Sequence, residues 1–259
     1  MSDLLQLEKR GHIAVMTISN PPANTWTKAS LNALVEIVND LNEDRDIYAL
    51  VVTGQGEKFF SAGADLKLFA DGDKANAGDM GAAFGQAFAA LSSFRGVSIA
   101  AVNGYAMGGG LECAMACDIR IAEEQAQMAL PEAGVGLLPC AGGTQNLPWL
   151  VGEGWAKRMI LCGERVTAEK AAQIGLVEEV VPKGESLEKA LELAEGACKQ
   201  SPSAVSRCKT LVMSAREGRS HADGWRMERE LFVELFSTDD QKEGVNAFLE
   251  KRKPEWKNR

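Results

Sequence analysis

Histidine is nearly missing from this chain: among 259 residues only His12 and His221 carry an imidazole. A Ser–His or Cys–His device has little to draw on, since His12 precedes an apolar alternation and His221 lies in a polar stretch. Aromatics make up 6% of the residues and the net charge is −8. That combination argues against the basic, stacking surfaces of nucleic-acid binding and against an anionic membrane surface as partner. No apolar run approaches the ~20 residues that span a bilayer. The opening MSDLLQLEKRGH lacks the basic–apolar–small order of a signal peptide. The six cysteines are Cys113, Cys117, Cys140, Cys162, Cys198 and Cys208. They are scattered through apolar segments and are expected to be buried free thiols of a cytoplasmic protein. Cys113 and Cys117 can share a helix face but have no further ligands for a metal, so none is expected. G-x-x-x-x-G-K-[ST], H-E-x-x-H, G-x-S-x-G and G-x-G-x-x-G are all missing. Proton chemistry, if there is any, falls to carboxylates.

Glycine is abundant instead, with 26 residues against a usual share of about 7%. The segments His12–Ser19, Tyr48–Thr53, Val97–Val102, Ile119–Ala122, Gln127–Ala129 and Leu176–Val181 have strand character. Tyr48–Thr53 and Val97–Val102 are predominantly apolar without alternation, as strands buried on both faces are. Helical spacing marks Thr27–Leu41, Gly81–Leu91, Trp155–Leu161 and Ala168–Ile174, the last with Thr167 as N-cap and Gly175 as stop. Asp71–Asp79 is expected to be a polar, mobile connection. From Ser186 on, only helical patterns remain. The expectation is an α/β core over residues 1–195 and a helical segment over 196–259.

Two segments combine strand, glycine and helix. Phe59-Phe60-Ser61-Ala62-Gly63-Ala64-Asp65-Leu66 follows a buried strand, and its small residues let backbone amides approach a ligand. Asn103-Gly104-Tyr105-Ala106-Met107-Gly108-Gly109-Gly110-Leu111-Glu112 follows another and opens onto a helix. A glycine run at such a junction presents unpaired amides at the positive end of the helix dipole. Without a P-loop lysine, a developing oxyanion suits it better than a phosphate, and one amide from each segment would make a two-donor hole. Tight turns selected for packing would show the same glycines. Glu112 falls on the first turn of the helix, where the dipole favours its charge. Glu132, in the apolar Leu130–Gly136 segment, is placed for desolvation and a raised pKa. A helix-start carboxylate and a solvated turn carboxylate are the plainer readings of the pair.

The segments SAGADL, AAVNGYAMGGGLECAMACD, LPEAGVGLLPCAGGTQ and CGERVTAEKAAQIGLVEEVVP resemble those of the enoyl-CoA hydratase/isomerase (crotonase) superfamily. The similarity runs from HIAVMTIS to FLEKRKPEW. It implies an α/β spiral of ββα units with C-terminal helices that form trimers, often paired into hexamers. It further implies an acyl-CoA thioester whose oxygen is held by the amides of Ala62 and Gly109, with Glu112 and Glu132 as catalytic acid and base. Gly63, Ala64 and Asp65 then accompany the CoA moiety, and Phe248 and Lys251 match a C-terminal CoA contact, through a neighbour's tail in the oligomer. CoA enters as part of the substrate, and no other cofactor is implied.

Arg95–Ser98, Asn146, Met128 and the Pro21–Asn24 segment depart from the common family pattern and bear on acyl-chain preference. The reaction implied is syn addition of water to a 2-enoyl-CoA. The alternatives are a Δ3,Δ2-enoyl-CoA isomerase, another acyl-CoA lyase or hydrolase on the same scaffold, and a non-catalytic acyl-CoA- or RNA-binding relative. An isomerase needs only one carboxylate, so the presence of both glutamates favours hydration.

Overall fold

Apolar segments closed by glycine become the strands of two sheets. The computed structural model describes residues 4–216 and 218–259, so Met1, Ser2 and Asp3 of the opening segment lie outside the described residues. The first sheet has six strands in the order β1-β2-β3-β5-β7-β10. These are β1 (Leu5–Arg10), β2 (Ile13–Ile18), β3 (Ala49–Gly54), β5 (Val97–Val102), β7 (Ile119–Glu123) and β10 (Glu179–Val181). Only the β1–β2 pair is antiparallel. The sequence pattern does not mark β1 because Glu8, Lys9 and Arg10 are exposed; charge on an edge strand discourages further pairing.

The second sheet has four strands, ordered β4-β6-β8-β9: β4 (Phe59–Ser61), β6 (Tyr105–Met107), β8 (Gln127–Ala129) and β9 (Val166–Thr167). Chain order alternates between the sheets: β3 leads to β4, β5 to β6, and β7 to β8. After each such pair comes a helix: α2 (Lys74–Ser92), α3 (Gly109–Ala116) and α4 (Gly143–Leu161). This is the ββα spiral.

α1 (Lys28–Glu43) begins at Thr27, whose side chain accepts from the Ser30 amide in a capping box, and it buries Leu31, Leu34, Val38 and Leu41. α2 starts at Lys74, capped by Asp73, so part of the polar stretch expected to be mobile is helix; an N-cap carboxylate offsets weak apolar patterning. The expected Trp155–Leu161 helix is the end of α4, which bends where Gly152 adopts φ 76°. α5 (Ala168–Gln173) has the expected Thr167 cap. α6 (Ser186–Cys198) lays Ala190 and Ala194 on the face of the first sheet made by Val15, Ala49, Val51 and Ile99. Residue 195 therefore lies within a helix that packs on the sheet.

The remaining helices are α7 (Pro202–Arg216), α8 (His221–Leu235) and α9 (Asp239–Leu249). Lys209 ties α7 to the sheet through Asp118 at 2.8 Å. Asp240, 1% exposed, accepts from the Lys257 and Asn258 amides and the Ser203 hydroxyl and so pins the tail. The basic tail is partly neutralised, with Arg252 on Glu243 and Glu250 and Arg259 on Asp239. Of the thiols, only Cys113 and Cys117 are buried; Cys140, Cys162 and Cys208 are exposed and Cys198 is half-buried. The expectation of six buried thiols is corrected accordingly: apolar neighbours in sequence do not bury a residue that its helix or loop turns outward. Among the described residues no helix is long and apolar enough to cross a membrane.

Candidate active site

β4, β6 and β8 are adjacent and parallel, so the loops that follow them leave the sheet at the same edge. Residues 62–65 follow β4, Gly108 and α3 follow β6, and residues 130–136 follow β8. This converts three stretches far apart in sequence into one site, at the carboxyl ends of parallel strands where ligands commonly bind.

The first loop is held from below. Asn24 has a left-handed φ of 52°, which asparagine tolerates better than most residues. Its side-chain amide donates to the carbonyls of Gln55 and Phe59 at 3.0 and 2.8 Å. The Ala62 amide donates to the Ala23 carbonyl at 2.9 Å. Ala62, expected to supply an oxyanion donor, is therefore corrected: its N–H is already committed to the residue before Asn24. The Gly63 amide donates to Ser61 Oγ at 3.2 Å, and the Gly63 carbonyl accepts from the Trp26 amide at 2.8 Å. Ala64 is the next residue whose N–H has no acceptor among the described residues.

Gly63 adopts φ +85°, and a Cβ on it would lie 2.7 Å from the Met107 carbonyl oxygen and 2.9 Å from the Gly109 nitrogen. Only glycine permits that approach, and it brings the first loop onto the start of α3. Gly109, in the first turn of α3, likewise has no acceptor for its amide among the described residues, as the opening residues of a helix do not. The ring of Phe84 packs against it from α2, 2.9 Å from where a Gly109 Cβ would stand. The unpaired amides of Ala64 and Gly109 thus flank one contact, Gly63 on Gly109.

Both glutamates reach the same cavity, of about 710 Å³, and their environments differ. Glu112 is 2% exposed. Its Oε1 accepts from the Ala141 and Gly143 amides at 2.8 Å each. Burial pushes its pKa above the ordinary carboxylate value, and the two amides pull it back. Glu132 opens the 3-10 turn Glu132–Val135, and its Oε2 is buried without a partner among the described residues. Burial pushes its pKa up to about 7, against an opposing pull from its own amide and with a further upward push from the charge of Glu112. A carboxylate with one oxygen buried and unpartnered in an apolar setting holds its proton near neutrality even against that pull.

The rest of the lining is mostly apolar: Leu66, Phe69, Ala77, Phe84, Leu137 and Leu138. Cys140, exposed at the cavity wall, sits there too, its thiol pKa raised by partial desolvation and by both carboxylates. Ala64 lines the cavity; Gly63 supports it from behind; Asp65 caps the Leu66–Phe69 turn by accepting from the Lys67 amide at 3.1 Å. Phe248, 83% exposed, and Lys251, with φ 56°, lie at the end of α9 and do not line the cavity. Pattern reading missed Phe84 and the amides of Ala141 and Gly143. The paired glycines after Ala141 were visible in sequence, but their approach to Glu112 follows from the fold.

A family model described as Enoyl-CoA hydratase/isomerase matches residues 8–259. The 2,3-dehydroadipyl-CoA hydratase of Escherichia coli (strain K12) is 40% identical over 262 residues, covering 100% of both chains. The short-chain-enoyl-CoA hydratase of Clostridium acetobutylicum is 39% identical, over 98% of this chain and 97% of that one. Among solved structures, Pseudomonas aeruginosa DspI superposes with a TM-score of 0.96 at 66% identity, covering 98% of this chain and 97% of that chain. Enoyl-CoA hydratase from Bacillus anthracis superposes with a TM-score of 0.95 at 35% identity, covering 99% and 100%.

Proposed function

The chain belongs to the enoyl-CoA hydratase/isomerase family and has its α/β crotonase fold, and on that premise we propose that it adds water to 2-enoyl-CoA thioesters to give 3-hydroxyacyl-CoA. The observation that carries the reading is the pair Glu112 and Glu132 in one apolar cavity, one carboxylate met by the amides of Ala141 and Gly143 and the other with its Oε2 buried and without a partner among the described residues. Isomerisation of a double bond needs a single shuttling carboxylate; two with unlike proton affinities suit the two proton transfers of hydration.

In this reading the thioester oxygen accepts from the amides of Ala64 and Gly109, and the polarised carbonyl draws electron density from the β-carbon. Glu112, the more strongly stabilised anion, takes a proton from water as the water oxygen bonds to that carbon. The π electrons move to the thioester oxygen, and the enolate is held by the two amides. A donor lost from such a hole costs about 3 kcal/mol. As the enolate collapses, Glu132 delivers its proton to the α-carbon. Each glutamate contributes about 10²- to 10⁴-fold. No metal or redox step is needed, and CoA takes part only as substrate.

The apolar side chains on the C-terminal helices support a homo-oligomer, a trimer or a dimer of trimers. Trp225, Phe232, Val233 and Phe236 are all more than half exposed, more apolar surface than a monomer ordinarily leaves wet. In such an assembly Phe248 and Lys251 would meet the CoA of a neighbouring subunit. Light scattering tests the mass.

The activity is tested with crotonyl-CoA in ¹⁸O-water. Loss of the enoyl-thioester absorbance with ¹⁸O in a 3-hydroxyacyl product supports hydration. A shifted double bond without added oxygen, from a 3-enoyl substrate only, makes the enzyme an isomerase.

A further inference from the structure

Ser61 is 0% exposed and does not line the cavity, yet it touches every piece that sets the two amides. Its hydroxyl donates to the Asn24 carbonyl at 2.7 Å and accepts from the Gly63 amide at 3.2 Å. Its carbonyl faces α3 so closely that a Cβ on Gly110 would stand 2.0 Å from the oxygen. One side of Ser61 is thus bonded to the buried, left-handed Asn24, the other lies on the helix that carries Gly109, and the hydroxyl holds the amide just before Ala64.

We infer that Ser61 is a positioning residue: its hydroxyl bridge from Asn24 to Gly63 sets the spacing of the Ala64 and Gly109 amides. The inference rests on the oxyanion-hole reading given above. Without the hydroxyl, the Gly63 N–H and the Asn24 carbonyl lose their shared partner in a buried place. The 62–63 peptide, which carries that N–H, then turns to find another and swings the adjoining 63–64 peptide through Gly63, since buried amides are rarely left unpaired. That rotation moves the Ala64 donor, and a donor displaced by a fraction of an ångström loses much of its value in the transition state.

The test uses the full-length protein with Ser61→Ala and Ser61→Cys. A bound aryl-conjugated enoyl-CoA, whose absorption band moves to longer wavelength when its carbonyl is polarised, reports on the hole. Crotonyl-CoA kinetics report on turnover. The expected result for Ser61→Ala is a smaller red shift and a kcat about 10- to 100-fold lower with KM little changed. Ser61→Cys, with a weaker donor and acceptor, falls between it and the wild type in both readouts. A purely structural role would lower Tm and leave the red shift of the folded fraction intact. Full red shift and full kcat in Ser61→Ala, or in Ser61→Cys should the alanine variant fail to fold, overturn the assignment. A wild-type protein that binds the probe without any red shift removes the hole itself, and this inference with it.

Discussion

Glu132 stands over the α-carbon of Gly108: a methyl group on that glycine would lie 3.0 Å from the carboxylate Oε1. Gly108 also has φ 53° and ψ −125°, a conformation that side-chain-bearing residues scarcely adopt. Gly108→Ala therefore carries about 1–3 kcal/mol of backbone strain and pushes the acid away from the reacting carbon. The expected outcome is a folded protein with a lower Tm and crotonyl-CoA turnover down about 100-fold. Wild-type kcat in the folded variant would separate Glu132 from the chemistry.

The protonation of Glu132 sets a pH dependence with a definite sign. Its folded-state pKa, about 7, lies above the ordinary 4.5. The folded state thus binds the extra proton between these values, and stability falls as pH rises through that window. Above about 7 the destabilisation is complete; below 4.5 it vanishes. Glu132→Gln removes the titration, so its Tm advantage over the wild type grows from pH 5 to pH 8. In the same variant hydration falls about 10²- to 10⁴-fold. In the wild type, kcat/KM for hydration declines as pH rises through about 7. Calorimetry across pH and a pH–rate profile are the two measurements.

Ala62 and Ala64 make opposite predictions despite lying two residues apart. Replacing a peptide N–H by an ester oxygen at Ala64 removes the donor that has no acceptor among the described residues. Turnover is then expected to fall about 100- to 1000-fold with little change in Tm. The same replacement at Ala62 breaks the 2.9 Å bond to the Ala23 carbonyl. It should lower stability by about 1 kcal/mol and spare much of the activity. The reverse pattern would restore Ala62 to the hole.

Gly81 faces the cavity from α2, and a Cβ there meets nothing within 4 Å. Gly81→Leu should stabilise the helix by several tenths of a kcal/mol or more while filling space open to an acyl chain. Turnover of short enoyl-CoAs should survive, and KM should rise steeply with chain length. An effect equal across a chain-length panel would mean that acyl groups run elsewhere.

Much of this was legible in the chain before it was folded. The triple glycine ahead of Leu111 and Glu112, after a predominantly apolar strand, is enough to place a carboxylate on the first turn of a helix with free amides. That is local physics, which neighbours in sequence decide. The tertiary structure decided which amide of the Ala62–Ala64 segment stays unpaired, because the acceptors that claim the other two are the Ala23 carbonyl and the Ser61 hydroxyl anchored on Asn24. It also decided that Glu132 keeps its proton near neutrality while Glu112 is met by two amides from beyond residue 140. Hydrogen-bond partners and desolvation are set by what packs alongside in space, and parallel β4, β6 and β8 bring those groups together from widely separated positions.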